Sequence, residues 1–341
     1  MASYRRIATE EAWAPPELLA RYRELLEAQP GADPGFDSLW GFFLGKAERA
    51  QRLAARIQDL GERRLADMDA AGIDFQVLAL TAPGVQVFDA PTATSLAKTF
   101  NDQLAEAVRK PPNRFAGLAA IAPQDPAAAA KELERGVRAL GLKGAIVNAH
   151  TLGEYLDEPK FWEIFEAAQA LDVPIYLHPS TPPPAMIAPF LKRGMEGAIY
   201  GFAVDTGLHM LRLIASGAFD RFPRLKLVVG HLGEGIPFWL FRVDYMHWSM
   251  SLSGRYPDVP RLKKKPSDYL RENFHVTTSG MAWAPAVQFA ISVLGIERVL
   301  YAMDYPYQYV PEEVKVYDGL PIPDAQKRLL FQGNAERVFS L

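Results

Sequence analysis

The residues of this chain best suited to chemistry are carboxylates and imidazoles standing just behind short apolar runs. Glu10 and Glu11 follow Ile7-Ala8-Thr9, His178 follows Ile175-Tyr176-Leu177, His231 and Glu234 follow Leu227-Val228-Val229, and Asp304 follows Leu300-Tyr301-Ala302-Met303. Imidazole nitrogen and carboxylate oxygen are the ligands a divalent cation takes where no thiolate is offered. The chain has no cysteine, which also removes disulfides and a thiol nucleophile. Taken singly, each residue has a plainer reading. A histidine at a strand end is commonly a hydrogen-bonded loop residue, Glu10 can cap a helix, and Asp304 before Tyr305-Pro306 can sit in a turn. What separates the readings is joint placement, because caps and core histidines scatter over a molecule whereas a metal or catalytic centre needs its groups on one face. The remaining histidines read as structural. His209 lies in a helical pattern, His275 falls at the amino end of a predicted strand, and His150 and His247 fit loop or helix polar groups.

The elements that must position these groups are eight short runs rich in apolar and β-branched residues, at 6–9, 75–80, 115–121, 143–148, 173–177, 225–229, 274–278 and 298–303. Several are apolar at successive positions, as parallel strands covered on both faces are. Helical spacing fills the intervals. Asp125-Pro126-Ala127 opens a helix that runs through Leu140, with proline just inside its start and Gly141 just beyond its end. Residues 159–171 set Phe161, Trp162, Ile164, Phe165 and Ala168 three and four apart. Eight strands with helical crossovers predict an α/β fold of the (β/α)8 TIM-barrel type, and no strand is followed by the G-x-G-x-x-G of a dinucleotide fold. A barrel of this kind builds its active site at the carboxyl ends of its strands, where the first, fifth, sixth and eighth runs place the groups above. Residues 14–60 read as a helical insertion after the first strand, over the barrel mouth or in a subunit contact, and residues 1–341 as one domain.

Charge and hydropathy exclude other classes. With 37 basic against 40 acidic residues, a formal charge of -3 and no basic run longer than Lys263-Lys264-Lys265, the chain lacks the footprint of a nucleic-acid binder. No apolar run reaches 18 residues and the start lacks the apolar centre of a signal peptide, so no membrane partner is expected and a cytoplasmic location is.

With these residues placed, the chain resembles the metal-dependent decarboxylase branch of the amidohydrolase superfamily, alongside γ-resorcylate and 2,3-dihydroxybenzoate decarboxylases, and within it looks most like the 5-carboxyvanillate decarboxylases. The similar stretches are Ile7–Ala12 (IATEEA), Ser38–Phe42 (SLWGF), Leu60–Asp69 (LGERRLADMD), Ala122–Pro126 (APQDP), Gly230–Glu234 (GHLGE) and Tyr301–Tyr309 (YAMDYPYQY). The resemblance implies an amidohydrolase-like barrel with one divalent ion held by Glu10, His178 and Asp304. Mn2+ is favoured, and Zn2+ or Mg2+ also suit such ligands. It implies that Asp304 protonates the ring carbon, that His231 and Glu234 serve acid–base chemistry, and that Arg49, with Arg242 as second candidate, binds the substrate carboxylate. Tyr307 and Phe43 would border the ring, and Trp40, Phe42 and Trp283 either wall it or serve as ordinary packing.

The implied activity is non-oxidative decarboxylation of an ortho-hydroxybenzoate-type acid, 5-carboxyvanillate to vanillate first, with the ion chelating substrate carboxylate and phenolate. The alternatives are 2,3-dihydroxybenzoate, γ-resorcylate or salicylate. The implied partners are a small aromatic carboxylate and further copies of the chain, as a dimer or tetramer. Hydrolases of the superfamily carry His-x-His after the first strand, whereas this chain has Glu10-Glu11-Ala12, and the fourth strand ends in Asn148-Ala149 with no bridging lysine. Both departures favour one metal over two and weigh against the rival reading, a hydrolase of a lactone or amide. Phe43 stands where the resemblance leads one to expect tyrosine.

Overall fold

The computed structural model describes residues 4–111 and 113–341. Its strands are β1 (Ile7–Trp13), β2 (Phe75–Leu80), β3 (Phe115–Gly117), β4 (Ala119–Ala120), β5 (Ala145–Asn148), β6 (Ile175–His178), β7 (Leu227–Val229), β8 (Phe274–Thr277) and β9 (Val299–Leu300). All pairs are parallel, in the orders β1-β2-β3 and β4-β5-β6-β7-β8-β9. β3 and β4 are halves of one strand that changes partner at Leu118. The Leu118 amide donates to Leu78 O at 2.8 Å, and the Ala119 amide to Gly144 O at 2.8 Å. The circle closes where the Thr9 amide donates to Tyr301 O (3.1 Å) and the Ala12 amide to Tyr305 O (2.7 Å). The eight strands of the expected barrel are therefore present, filled by apolar side chains such as Val77, Leu177, Val228 and Val276.

One boundary differs from the sequence reading in a way that matters. The apolar pattern ends the first strand at Thr9, but β1 continues to Trp13, so Glu10 and Glu11 lie inside the strand. Its register against β2 breaks between Ala8 and Glu11. An extra residue of this kind bends a strand and re-aims its side chains, and Glu10 and Glu11 indeed serve two different neighbourhoods.

The helices start where local chemistry tells them to. Asp125 accepts from the Ala128 amide at the start of Pro126–Arg138, and Asp89 from the Thr92 amide at the start of Ala90–Arg109. Each aspartate satisfies an otherwise orphaned donor, and the proline that follows has no amide to orphan. Between β1 and β2 come α1 (Pro16–Ala28), α2 (Pro34–Phe43), α3 (Glu48–Gln58) and the crossover helix α4 (Glu62–Ala71). α3 buries Ala50, Leu53 and Ile57 along one stripe. Tyr22 of α1 is wholly buried, edge-on to Phe36 and Trp40 of α2 at 5.2 and 4.6 Å, and donates to Gly84 O behind β2 at 2.7 Å. Thus α1 and α2 are pinned over the barrel mouth. Among the described residues no helix is long and apolar enough to cross a membrane.

Parallel pairing leaves little room at the strand entries. Gly144, just before β5, has φ +149°, and a Cβ there would lie 2.4 Å from Pro174 O. Gly144→Ala is expected to destabilise the fold by at least about 2 kcal/mol, measured by urea unfolding. A change within error would mean that the Gly144–Pro174 approach is not tight in solution.

Candidate metal centre and active site

Four side chains from four barrel strands meet at the carboxyl end of the barrel. Glu10 is buried inside β1. Its Oε2 accepts from the hydroxyls of Tyr176 (β6) and Thr277 (β8), the latter at 2.6 Å, while its Oε1 has no hydrogen-bond partner among the described residues. That free oxygen lies 3.5 Å from His178 Nε2 and 3.7 Å from His231 Nε2. His178 donates from Nδ1 to Pro179 O at 2.8 Å, which leaves the Nε2 lone pair facing Glu10. His231 bonds through Nδ1 to Glu234 Oε1 at 2.6 Å, and its Nε2 lies 4.0 Å from Asp304 Oδ2.

The backbone is bent to this purpose. His231, Leu232 and Glu234 all have positive φ, at 52°, 56° and 53°, and Asp304 has φ 70°. Such conformations cost about 1–2 kcal/mol for a residue with a Cβ and cluster at functional sites. Gly230 has another reason to be glycine, because a Cβ there would sit 2.6 Å from Glu10 Oε1 and 2.7 Å from Oε2.

The donor set fits a divalent cation. Two ligands bonded to one ion at about 2.1 Å stand about 3.0–3.4 Å apart at octahedral to tetrahedral angles, slightly closer than the 3.5 Å between Glu10 Oε1 and His178 Nε2. Among the described residues no three such side chains are already drawn into a finished shell, and the fit rests on the free Glu10 oxygen, the exposed His178 lone pair and the hard nitrogen-and-oxygen chemistry. Burial pushes the Asp304 carboxyl well above the ordinary carboxylate range; the charge of His231 opposes this, and Glu10 and Glu234 add to it. Burial disfavours the charged His231 ring, but Glu234 first, then Glu10 and Asp304, outweigh it and hold the imidazole up to about 10. His178 moves the other way, lowered chiefly by burial.

The second tier of expected residues is only partly gathered. Tyr307 and Phe43 do meet, ring centroids 5.3 Å apart, and the Tyr307 hydroxyl shares a 2.6 Å hydrogen bond with Thr81. Arg49 stands exposed in the first turn of α3, and Arg242 is exposed on the outer face of the helix Ile236–Ser253. Neither has an ion pair among the described residues. Trp40 is core packing of the insertion, while Phe42 and Trp283 are largely exposed. His209 is buried and accepts from the Leu156 amide, and His150 accepts from the Gly153 amide and bonds to Thr181 O. A cavity of about 240 Å³ opens between α1, α2 and the loops behind β2, β5 and β6; Ser180 and Thr181 line it and none of the four donors does. Sequence reasoning missed Tyr176 and Thr277, which hold Glu10. The available signal was strand placement: Tyr176 is the one polar position in the run 173–177, and Thr277 is a polar position near the carboxyl end of the run 274–278.

The pattern of the amidohydrolase family matches residues 39–341. The chain belongs to the amidohydrolase family. Among solved structures this amidohydrolase resembles a 5-carboxyvanillate decarboxylase from Novosphingobium aromaticivorans DSM 12444, 50% identical with a TM-score of 0.97 over 99% of this chain and 97% of that one. That protein was solved with manganese and 4-hydroxy-3-methoxy-5-nitrobenzoic acid. The 5-carboxyvanillate decarboxylase of Sphingomonas paucimobilis is 43% identical, with a TM-score of 0.94 over 99% of this chain and all of that one. Among curated proteins, the γ-resorcylate decarboxylase of Polaromonas sp. strain JS666 is 38% identical over 85% of this chain and 90% of its own. These homologues are decarboxylases.

The raised His231 value makes a prediction for the metal-free protein. Its value of about 10 lies above the ordinary 6.5, so the stability it contributes is fully present below pH about 6.5 and is lost as pH rises through about 10. Glu234→Gln removes the strongest supporting charge. The melting temperature of metal-free Glu234→Gln is expected to fall less between pH 6.5 and 10 than that of the unaltered protein; equal slopes would exclude Glu234 as the source.

Proposed function

We propose that this chain is a metal-dependent carboxy-lyase acting on an ortho-hydroxybenzoate-type acid, with 5-carboxyvanillate to vanillate as its preferred reaction. The observation that carries this reading is the convergence of His178 and His231 on the unpartnered oxygen of Glu10, with Asp304 beside His231. The substrate choice is supported by the 50% identity to a 5-carboxyvanillate decarboxylase, against 38% to a γ-resorcylate decarboxylase. Glu10, His178 and Asp304 would hold one divalent ion, and manganese is favoured by the hard ligands and by its presence in that neighbour. When bound, the ion supplies positive charge to a chelated phenolate and carboxylate and fixes the ring's orientation.

The protein's own groups then have separate tasks. Asp304, protonated in the substrate complex, delivers its proton to the ring carbon that bears the departing carboxylate. The carbon–carbon bond breaks, its electron pair returns to the ring, carbon dioxide leaves and Asp304 remains as carboxylate. His231, oriented by Glu234, holds the phenolic oxygen. Arg49 pairs with a substrate carboxylate through its planar fork. It stands exposed in the first turn of α3, on the same flank as Arg56, which stacks on Tyr309 behind β9 at 4.9 Å. Tyr307, its hydroxyl committed to Thr81, offers the substrate ring its aromatic body, with Phe43 behind it.

Arg242 points away from its own barrel, among exposed Phe238, Phe241, Tyr245 and Trp248. A second copy of the chain covering this apolar face makes the homo-oligomer, and only across that contact does Arg242 approach a substrate.

The test is elemental analysis of the purified protein with carbon dioxide release from 5-carboxyvanillate, γ-resorcylate, 2,3-dihydroxybenzoate and salicylate, beside a lactone panel. Lactone hydrolysis without carbon dioxide release would overturn the reading. Asp304→Asn is expected to lower kcat by about 10²–10⁴ while Mn2+ binding partly survives; near-normal turnover would remove Asp304 as the acid. Arg49→Ala, losing a charge-assisted pair of about 1.5–3 kcal/mol, should raise KM by about 10–150-fold. An unchanged KM would take Arg49 out of the carboxylate site.

A further inference from the structure

The stretch Leu60–Asp69 supplies none of the four donors, yet its helix, α4, sends two charged side chains under the site. Arg64 is fully buried. It donates from Nε to Asp59 O at 3.0 Å, from Nη1 to Gln76 Oε1 at 3.2 Å and from Nη2 to Ala12 O at 2.6 Å. Its guanidinium carbon lies 4.4 Å over the ring of Tyr305. Asp67 accepts from the Tyr305 hydroxyl at 2.8 Å and from Arg56 Nε at 3.1 Å, and its carbonyl accepts from the Tyr309 hydroxyl at 2.8 Å.

Between this helix and the site lies Glu11, the neighbour of Glu10 in β1 and also fully buried. Its Oε1 accepts from the Met303 amide at 3.0 Å, and its Oε2 from the Tyr305 amide at 3.2 Å. These are the residues on either side of Asp304. One carboxylate thus grips the peptide that enters Met303 and the peptide that leaves Asp304, and Asp304 between them is held at φ 70°. Holding these two peptide planes confines the Met303–Asp304 step between them and so restricts the direction of the Asp304 Cα–Cβ bond. Tyr305, next in the chain, is held by amide, ring and hydroxyl together.

We propose that Glu11, Arg64 and Asp67 form a buried cradle that positions Asp304, with Glu11 as its central positioning residue. Glu11 touches neither ion nor substrate. It acts by holding the left-handed turn that turns the Asp304 carboxylate toward Glu10 and His231. The inference rests on the reading of Asp304 as metal ligand and acid. Two acceptor oxygens on one rigid plane are what this task needs, and glutamine supplies only one, its amide nitrogen meeting a peptide N–H head-on.

Glu11→Gln in the full-length protein is the test, read by the Mn2+ Kd from electron paramagnetic resonance of free ion, by kcat and KM on 5-carboxyvanillate, by the metal-free melting temperature, and by the place of Asp304 in a crystal of the metal-free variant. The Mn2+ Kd is expected to rise about 10–100-fold, with kcat falling more than KM rises and Asp304 displaced. A lowered melting temperature with unaltered Kd, kcat and Asp304 position would make Glu11 a fold residue only and overturn the cradle. If Glu11→Gln does not fold, Tyr305→Phe decides, since it drops only the bond to Asp67. A Kd raised about tenfold supports the cradle, and an unchanged Kd overturns it. Because ion affinity and Asp304 placement are read without turnover, an unaltered protein that binds Mn2+ but releases carbon dioxide from no acid defeats the functional reading alone.

Discussion

The structure depends on the seam where the last strand of the barrel returns to the first. Two amides of β1, those of Thr9 and Ala12, bond to the carbonyls of Tyr301 and Tyr305, and Glu11 accepts from the amides of Met303 and Tyr305 in the opposite sense. The Glu11–Tyr305 contact spans 294 residues of sequence, so it forms only when the whole circle has closed. Closing such a loop is entropically costly whichever bond does it, and it is the packed interior between the strands that offsets the cost. Glu10 and Asp304, adjacent to the seam on its two sides, become neighbours as a consequence.

That neighbourhood is crowded with acid: Glu10, Glu11, Glu234 and Asp304 within two imidazoles and one buried guanidinium. Buried carboxylates are tolerable where each oxygen is hydrogen-bonded or paired, and the pattern of satisfaction is uneven in an informative way. Each oxygen of Glu11 accepts from a backbone amide, and Glu234 is matched to His231. Glu10 has one oxygen held by two hydroxyls and the other left bare. Hydroxyl donors orient Glu10 without neutralising it, so its full charge stays available to a cation. Arg64 lies on the far side of Glu11, where it balances the fold without competing for that oxygen.

Much of this was legible in the sequence because it follows from periodicity. Eight apolar runs mark eight strands, and reactive groups behind four of them mark the working face. What was hidden has physical reasons. β1 reads as ending at Thr9 since two glutamates follow, but a strand at a seam can bury carboxylates when backbone amides meet them, and apolar patterning cannot register that. Nothing local to His231 announces a run of left-handed residues beyond its glycines; the bend is imposed by the need to set the ring against Glu10 and Glu234 together. Arg49 and Arg242 share residue type and expected role, yet one is exposed on α3 of the insertion and the other on an outer apolar helix, a distinction set by tertiary packing. Trp40 could not be told from a substrate wall by its type alone, because an aromatic stripe packs α2 onto α1 with the same residues.

The helix α4 explains why stability and chemistry cannot be separated here. It is the crossover that returns the chain from the insertion to β2, so every version of this barrel needs it. The same helix carries Arg64 across to the Ala12 carbonyl of β1 and Asp67 to the Tyr305 hydroxyl behind β9. A helix that both completes the first βα unit and clasps the tail of the eighth strand ties the two ends of the barrel through side chains as well as through the strand ladder. Asp304 sits in the segment so clasped, in a left-handed backbone conformation that the clasp keeps in place. The left-handed turn at Asp304 is therefore sustained by the closure of the fold, and a chain that failed to close its barrel would lose the aim of this carboxylate along with its stability.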